Sequence, residues 1–356
     1  MKTRYLQMLF IRSLSFIFLF TAHNAAYAKE ERPLAKYEPE QQVLLFIGQD
    51  NESMGGTKQW TNGYTDVIGT PAGVTHYVYL SEGKINNSGH TFSKGSVDGL
   101  NTTTSWNGGP MCMRCYVESD HYKNTVIHLS ISMEHDDEPL VASGAYDHNI
   151  EEMISFLKEF QQFPFLIRIG YEFDGSWNSY EPQAFQQAFR RIVDKLRAAN
   201  VTNFATVMAS IGMETDRAVW EAYWPGDEYV DWVGYSYWSG GSYSNNTLDF
   251  AREKGKPVFI AEATTRGFDI ANLGGMFWGD WFGHFFKHVE DNQDIIKAIS
   301  YISADWETHP MWIGQGWGNS RVDANPTTLK QWQEKIAEPL YLSTPDGVYN
   351  KIRFTP

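Results

Sequence analysis

Eight short apolar runs recur along this chain, and most are separated by enough residues for a helix. They are Val43–Ile47, Thr75–Leu80, Val126–Met133, Phe165–Phe173, Phe204–Ser210, Val230–Tyr237, Pro257–Ala261 and Ile299–Asp305. Several are nearly continuous in apolar, β-branched or aromatic residues, which is the pattern of parallel strands covered on both faces. Between them, Asn149–Phe160 carries Ile150, Met153, Ile154 and Leu157 at helical spacing. Ala184–Ala199 carries Phe185, Phe189, Ile192, Val193 and Leu196 behind Pro182. Thr247–Lys254, Trp281–Asn292 and Pro326–Ala337 are further helix candidates. In a chain of 356 residues, this alternation predicts a single-domain (β/α)8 TIM barrel rather than an open sheet. Residues 82–124, rich in Gly, Ser, Asn and Thr, break the rhythm and read as a long loop excursion after the second strand. Loops of that kind serve binding in a barrel, a disordered insertion being the alternative.

The first 28 residues read as a segment apart from the fold. Lys2, Arg4 and Arg12 precede an apolar run, Ser13–Thr21, and Ala26-Tyr27-Ala28 forms a small-x-small site. This is the layout of a secretory signal peptide, with cleavage expected after Ala28 and a mature chain 29–356 that is secreted or periplasmic. An uncleaved anchor is the alternative, but the run falls short of the ~20 residues a spanning helix needs. The net charge of −14 argues against nucleic acid and anionic membranes as partners. A monomer without a cofactor is expected. The two cysteines, Cys112 and Cys115, stand in C-x-x-C spacing. In an exported chain a small loop disulfide is expected; free thiols and redox or metal roles are the alternatives.

In a barrel, chemistry sits at the C-terminal ends of the strands. Two carboxylates stand there, each directly after an apolar run: Glu172 in Arg168-Ile-Gly-Tyr-Glu-Phe-Asp-Gly-Ser-Trp177, and Glu262 in Ala261-Glu-Ala-Thr264. Either alone could be a solvated surface residue, but two at matching strand ends suit glycoside cleavage. The leaving oxygen needs a proton, and the oxocarbenium-like carbon needs a nucleophile or a negative charge on its other face. The acid must stay protonated while its partner stays ionised, and its pKa is expected to rise mainly through the nearby charge of Glu262. Arg168, four residues before Glu172, would share its face of the strand and could hold Glu262 ionised, a purely structural ion pair being the alternative. The aromatic share of 15%, with 13 Trp, supplies flat apolar platforms for sugar rings as well as core. Gly48-Gln49-Asp50 and Glu134-His135-Asp136 could reach a substrate from the ends of the first and third runs. The latter could hold a cation, although a solvated rim is the plainer reading. Gly240-Gly241 mark a flexible loop after the sixth run.

The run RIGYEFDGSW resembles the R-x-x-H-E-x-N-G-x-W segment of glycoside hydrolase family 26, the β-mannanases and their relatives. Tyr223–Gly234 is similar to that family's Y-x-P-G-D-x-Y-V-D-W-V-G stretch, and Lys256–Glu262 to its K-P-hydrophobic-E segment. The resemblance implies a retaining, endo-acting β-glycanase with Glu172 as acid/base and Glu262 as nucleophile. It also implies a tyrosine after the sixth strand bonded to the nucleophile, Tyr237 first and Tyr235 second. Trp177 and Trp306 would line the sugar subsites, or else pack in the core. This chain departs from the pattern at Tyr171 (His in the family), Asp174 (Asn) and Ala263-Thr264 (often Phe-Gly). Mannan specificity therefore does not carry over, and a β-1,3- or mixed-linkage glycan, a β-1,3-xylan or another matrix polysaccharide is equally open. A non-catalytic carbohydrate-binding barrel and a transglycosylase are the alternatives to a hydrolase.

Overall fold

A computed structural model describes residues 32–86, 89–134, 136–238 and 244–356. The segment 1–28, His135 and Gly240-Gly241 lie outside the described residues. Eight parallel strands form the barrel: β1 (Val43–Gly48), β2 (Gly73–Tyr79), β3 (Val126–Ser132), β4 (Phe165–Ile169), β5 (Phe204–Ser210), β6 (Trp232–Tyr237), β7 (Val258–Ala263) and β8 (Ile296–Ile302). Each pairs with the next in sequence, and β8 pairs back with β1, Leu44 opposite Ala298, which closes the sheet. Tyr341–Leu342 adds a short parallel strand beside β1. The expected runs lie within a few residues of these strands, with two informative shifts. The strand expected over Phe165–Phe173 stops at Ile169, and the one expected over Ile299–Asp305 begins at Ile296 and ends at Ile302.

Period-two alternation divides the strand residues between two apolar layers. Val43, Leu45 and Ile47 of β1 face the surrounding helices, while Leu44 and Phe46 fill the barrel interior. The amphipathic helices Asp147–Glu159, Pro182–Ala198 and Phe282–Asp291 cover the outside; Phe185, Phe189, Ile192 and Leu196 of the second are fully buried. Inside, apolar residues occupy the lower part: Leu166, Val207, Trp232 and Phe259. Above them a polar layer is satisfied internally. Thr75 Oγ1 lies 3.0 Å from His128 Nδ1 and 2.6 Å from Ser300 Oγ. Burial, with Arg168 adding to it, holds the His128 imidazole neutral.

The excursion 82–124 is built rather than loose. Thr104–Ser105 pairs antiparallel with Pro110–Met111, a short helix covers Met113–Val117, and Cys112 and Cys115 are joined by a disulfide. Asn51 clamps this segment to the barrel, accepting from Cys112 N at 2.6 Å and donating to Cys112 O at 3.2 Å. Among the described residues no helix is long and apolar enough to cross a membrane.

Candidate active site

A cleft of about 530 Å³ opens at the C-terminal end of the barrel strands, and Glu172 and Glu262 both line it. They reach it by different local devices. Alternation along β7 puts Phe259 and Ala261 inside the barrel, so an unbroken strand would turn Glu262 outward. The pairing with β6 shifts instead: Tyr235 faces Ile260, but the next residue, Ser236, faces Glu262. The extra residue is a bulge, and it re-aims Glu262 into the cleft.

Glu172 does not stand on a strand at all. After Ile169, Gly170 takes φ +59, and a side chain there would collide with Phe185 and Met133. Glu172 itself has φ +47, a region that non-glycine residues enter only when held. Asn178 does the holding, donating from Nδ2 to the carbonyls of Tyr171 and Glu172 at 2.9 Å each. The expected shared strand face of Arg168 and Glu172 therefore does not exist. The two come together because the chain turns after Ile169.

Arg168 is fully buried and its Nη1 donates to Glu262 Oε1 as an ion pair. Its guanidinium also lies 5.5 Å from the centre of the Tyr171 ring. Ser236 Oγ donates to Glu172 Oε1 at 2.7 Å. The Glu172 carboxyl is pushed up to about 8, by burial first and by the negative charge of Glu262 second, against the pull of Arg168 and Ser236. Burial, and not the neighbouring charge, is thus the larger cause, contrary to expectation.

The expected tyrosine is elsewhere. Because Ser236 points inward, its neighbours Tyr235 and Tyr237 point outward: Tyr235 Oη lies 2.6 Å from His288 Nε2, and Tyr237 packs against Trp281, Phe285 and His288. Tyr77, on β2, takes the place beside Glu262. Burial and then the Glu262 charge push its phenol well above the ordinary range, so it stays a neutral potential donor, though no partner stands at full hydrogen-bond geometry among the described residues. No local signal marks Tyr77 in the sequence, where the run Thr75–Leu80 carries only strand character.

Tyr171 lines the cleft and donates to Glu134 Oε1 at 2.5 Å, with Tyr79 Oη at 3.0 Å. Trp177 stands at the rim, 56% exposed. Trp306 lines the cleft but is otherwise buried, its Nε1 donating to Thr264 Oγ1 and Ser320 Oγ. Thr264, one of the departures from the family pattern, thus serves to seat Trp306. Asp174, another, accepts from Ile211 N and Thr215 Oγ1 and ties down the loop after β5 instead of reaching the cleft. Gln49 lines the cleft, whereas Asp50 is turned away to cap the helix Asn51–Met54. Sequence reasoning did not single out Trp106, Met111, Trp238, Arg266, Trp312 and Trp317, all of which line the cleft. A signal existed for two of them, in the spacing Trp312-Ile-Gly-Gln-Gly-Trp317.

Residues 102–310 match the family model of glycosyl hydrolase family 26. The chain is 30% identical over 347 residues to the beta-1,3-xylanase TXYA of a Vibrio species, covering 90% of this chain and 70% of that protein. It is 28% identical over 346 residues to a beta-1,3-xylanase of an Alcaligenes species, covering 90% and 68%. Its fold resembles that of a family 26 β-mannanase from Bacteroides ovatus, with a TM-score of 0.56 at 15% identity, over 86% of this chain and 91% of that one. An endo-β-1,4-mannanase double mutant from Cellulomonas fimi gives 0.57 at 17% identity, over 91% and 80%. The paired carboxylates of the cleft and the reach of these matches lead to one conclusion: the chain belongs to glycoside hydrolase family 26 and is a polysaccharide-cleaving endo-glycanase.

Proposed function

We propose that this enzyme is an exported endo-β-1,3-xylanase that works by retaining double displacement, with Glu172 as acid/base and Glu262 as nucleophile. The observation that carries this reading is the contrast between the two carboxyls of one cleft. Glu172 is buried and raised to about 8, so at neutral pH it holds a proton to give. Glu262 is paired with the guanidinium of Arg168 and offers negative charge to a developing cation. In the first step a Glu262 oxygen bonds to the anomeric carbon while Glu172 protonates the departing glycosidic oxygen. In the second, the Glu172 carboxylate takes a proton from water, whose oxygen attacks the same carbon and releases Glu262. Arg168 and Tyr77 would hold the nucleophile, and Tyr171, Trp177 and Trp306 would contact sugar.

The substrate assignment follows the two relatives aligned over 90% of this chain, both beta-1,3-xylanases. It also suits a cleft in which Tyr171 stands where the pattern of mannan-cleaving family members has His. Export rests on the signal-like residues 1–28, with 29–356 as the mature, monomeric enzyme.

The test is a panel of β-1,3-xylan, β-1,4-xylan, β-1,4-mannan and β-1,3-glucan, with products sized and their anomeric configuration followed by NMR. β-1,3-Xylan should be cut internally, with β-configured ends appearing first. Release of α-configured ends refutes retention, and preference for another polymer refutes the substrate. For the roles, azide should rescue Glu262→Ala with inverted product and Glu172→Ala with retained product. The opposite pattern exchanges the two residues.

A further inference from the structure

The cleft has an aromatic end, where Trp312 and Trp317 pack on Trp306 with ring centres 5.3 and 4.9 Å from it. These two rings sit on the loop after β8. Its turn is organised around one residue, His309, whose carbonyl accepts from Trp312 N at 2.8 Å and from Ile313 N at 3.1 Å. The side chain of His309 is buried and points away from solvent, toward Asp50 on the loop after β1. His309 Nε2 and Asp50 Oδ2 are 3.6 Å apart. Neither atom has a hydrogen-bond partner among the described residues. Two buried polar atoms, otherwise unsatisfied and facing each other, are costly unless they carry opposite charge. Asp50 is itself fixed, because its Oδ1 caps the helix Asn51–Met54, accepting from Glu52 N and Ser53 N at 2.9 Å.

We infer that Asp50 and His309 are positioning residues: their buried pairing ties the loop after β8 to the loop after β1 and so seats Trp312 and Trp317 against the cleft for sugar binding. This rests on the reading of the cleft as the glycan site, and it adds a pair outside the reacting atoms on which the platform depends. The pair also links both sides of the cleft, because Gly109 of the hairpin packs onto Asp50 so closely that a side chain there would collide with it. Burial opposes charge on His309, but Asp50, with Glu52 and Asp305 beyond it, outweighs burial and raises its pKa. The protonated, paired form is therefore present at low pH and is lost as pH rises through the raised value. The platform should loosen in that direction.

Two variants isolate the pairing. Asp50→Asn keeps an oxygen for the helix cap and removes only the charge. His309→Gln keeps a polar side chain that cannot titrate. In the wild type, KM for β-1,3-xylo-oligosaccharides should rise with pH, and tryptophan fluorescence without substrate should change over the same interval. In both variants, KM should already be raised about tenfold at low pH, the effect of losing about 1.4 kcal/mol of binding, with kcat changed far less. Their fluorescence should no longer follow the wild-type pH change. A KM like wild type in both variants, a pH-dependent fluorescence change that survives both, or a fall in kcat at constant KM overturns the inference. If His309→Gln does not fold, Asp50→Asn decides alone. A wild type inert on β-1,3-xylan refutes the substrate assignment, whereas the substrate-free fluorescence comparison still decides the pairing.

Discussion

The floor of the cleft and its rim are built on different principles. On the floor, Tyr77, Arg168, Ser236 and Glu262 project from β2, β4, β6 and β7, each a strand paired on both sides within a closed barrel. The backbone that carries each of them cannot shift without moving a ladder of hydrogen bonds. On the rim, Trp106 and Met111 come from a hairpin whose two strands are two residues each, and Trp312 and Trp317 from a turn after β8. The two rim segments touch through single bonds such as Met311 N to Asn107 O at 2.9 Å. The difference explains how one barrel serves enzymes with different substrates. On the proposed roles, the nucleophile and the groups that hold it sit where geometry is over-determined, and the sugar contacts sit on segments that can be rebuilt without disturbing it. Floor substitutions should therefore strike stability and kcat, and rim substitutions KM.

The largest effect should come from Arg168→Met. The guanidinium is fully buried and paired with Glu262, so its loss leaves the buried carboxylate of Glu262 without its cation. Breaking a buried pair from one side costs about 3–5 kcal/mol. Denaturant unfolding should show a loss of that size, and kcat should fall with it because Glu262 is no longer held. An Arg168→Met protein as stable and as active as wild type would mean that the floor is not over-determined, and the comparison fails there.

A smaller effect sharpens the electrostatics. Activity that needs protonated Glu172 should decline as pH rises through about 8. The folded protein binds this proton more tightly than the unfolded chain does. The stability that Glu172 contributes is therefore present below the ordinary Glu range and is lost as pH rises toward about 8. Replacing Glu262 with Gln removes the second cause of the shift and leaves the first, burial. Carbon-13 NMR of the Glu172 carboxyl in Glu262→Gln should then show titration moved down, yet still above an ordinary Glu. A full return to the ordinary value would make the neighbouring charge the whole cause; no movement would mean that the two carboxyls do not sense each other.

How much of this was legible in the sequence follows the same division. Strand and helix periodicity located the barrel and brought both glutamates to its mouth, because a closed parallel sheet leaves apolar runs that nothing else explains. What alternation could not reveal were its interruptions. The bulge at Glu262 and the turn after Ile169 both break period two, and each places one of the two cleft carboxylates. Alternation did hold in β6, and there it argues against Tyr237 once Ser236 is seen to face inward. Tyr77 stayed hidden because its place beside Glu262 depends on β2 and β7 meeting across the barrel, a relation no local window contains. The rim was least legible of all, since Trp106, Trp238 and Trp312 lie far apart in sequence and converge only through loop conformation.

Trp177 provides the smallest and most delicate test of the division. It is a rim residue by exposure, yet it follows Glu172 by only five positions, and its ring folds over Gly175, where a side chain would strike it. The turn that carries Glu172 does not depend on that ring: Asn178 fixes the carbonyls of Tyr171 and Glu172, and Gly175 N donates to Glu172 O at 2.7 Å. Trp177→Ala should accordingly leave stability within about 0.5 kcal/mol of wild type, as exposed substitutions do. Covering some 40 Å² of ring with a sugar is worth about 1 kcal/mol, so KM should rise about fivefold. Steady-state kinetics on β-1,3-xylo-oligosaccharides would separate the two constants. If kcat fell instead while KM held, the ring would be buttressing the strained turn beneath it, and at this position the rim would belong to the floor.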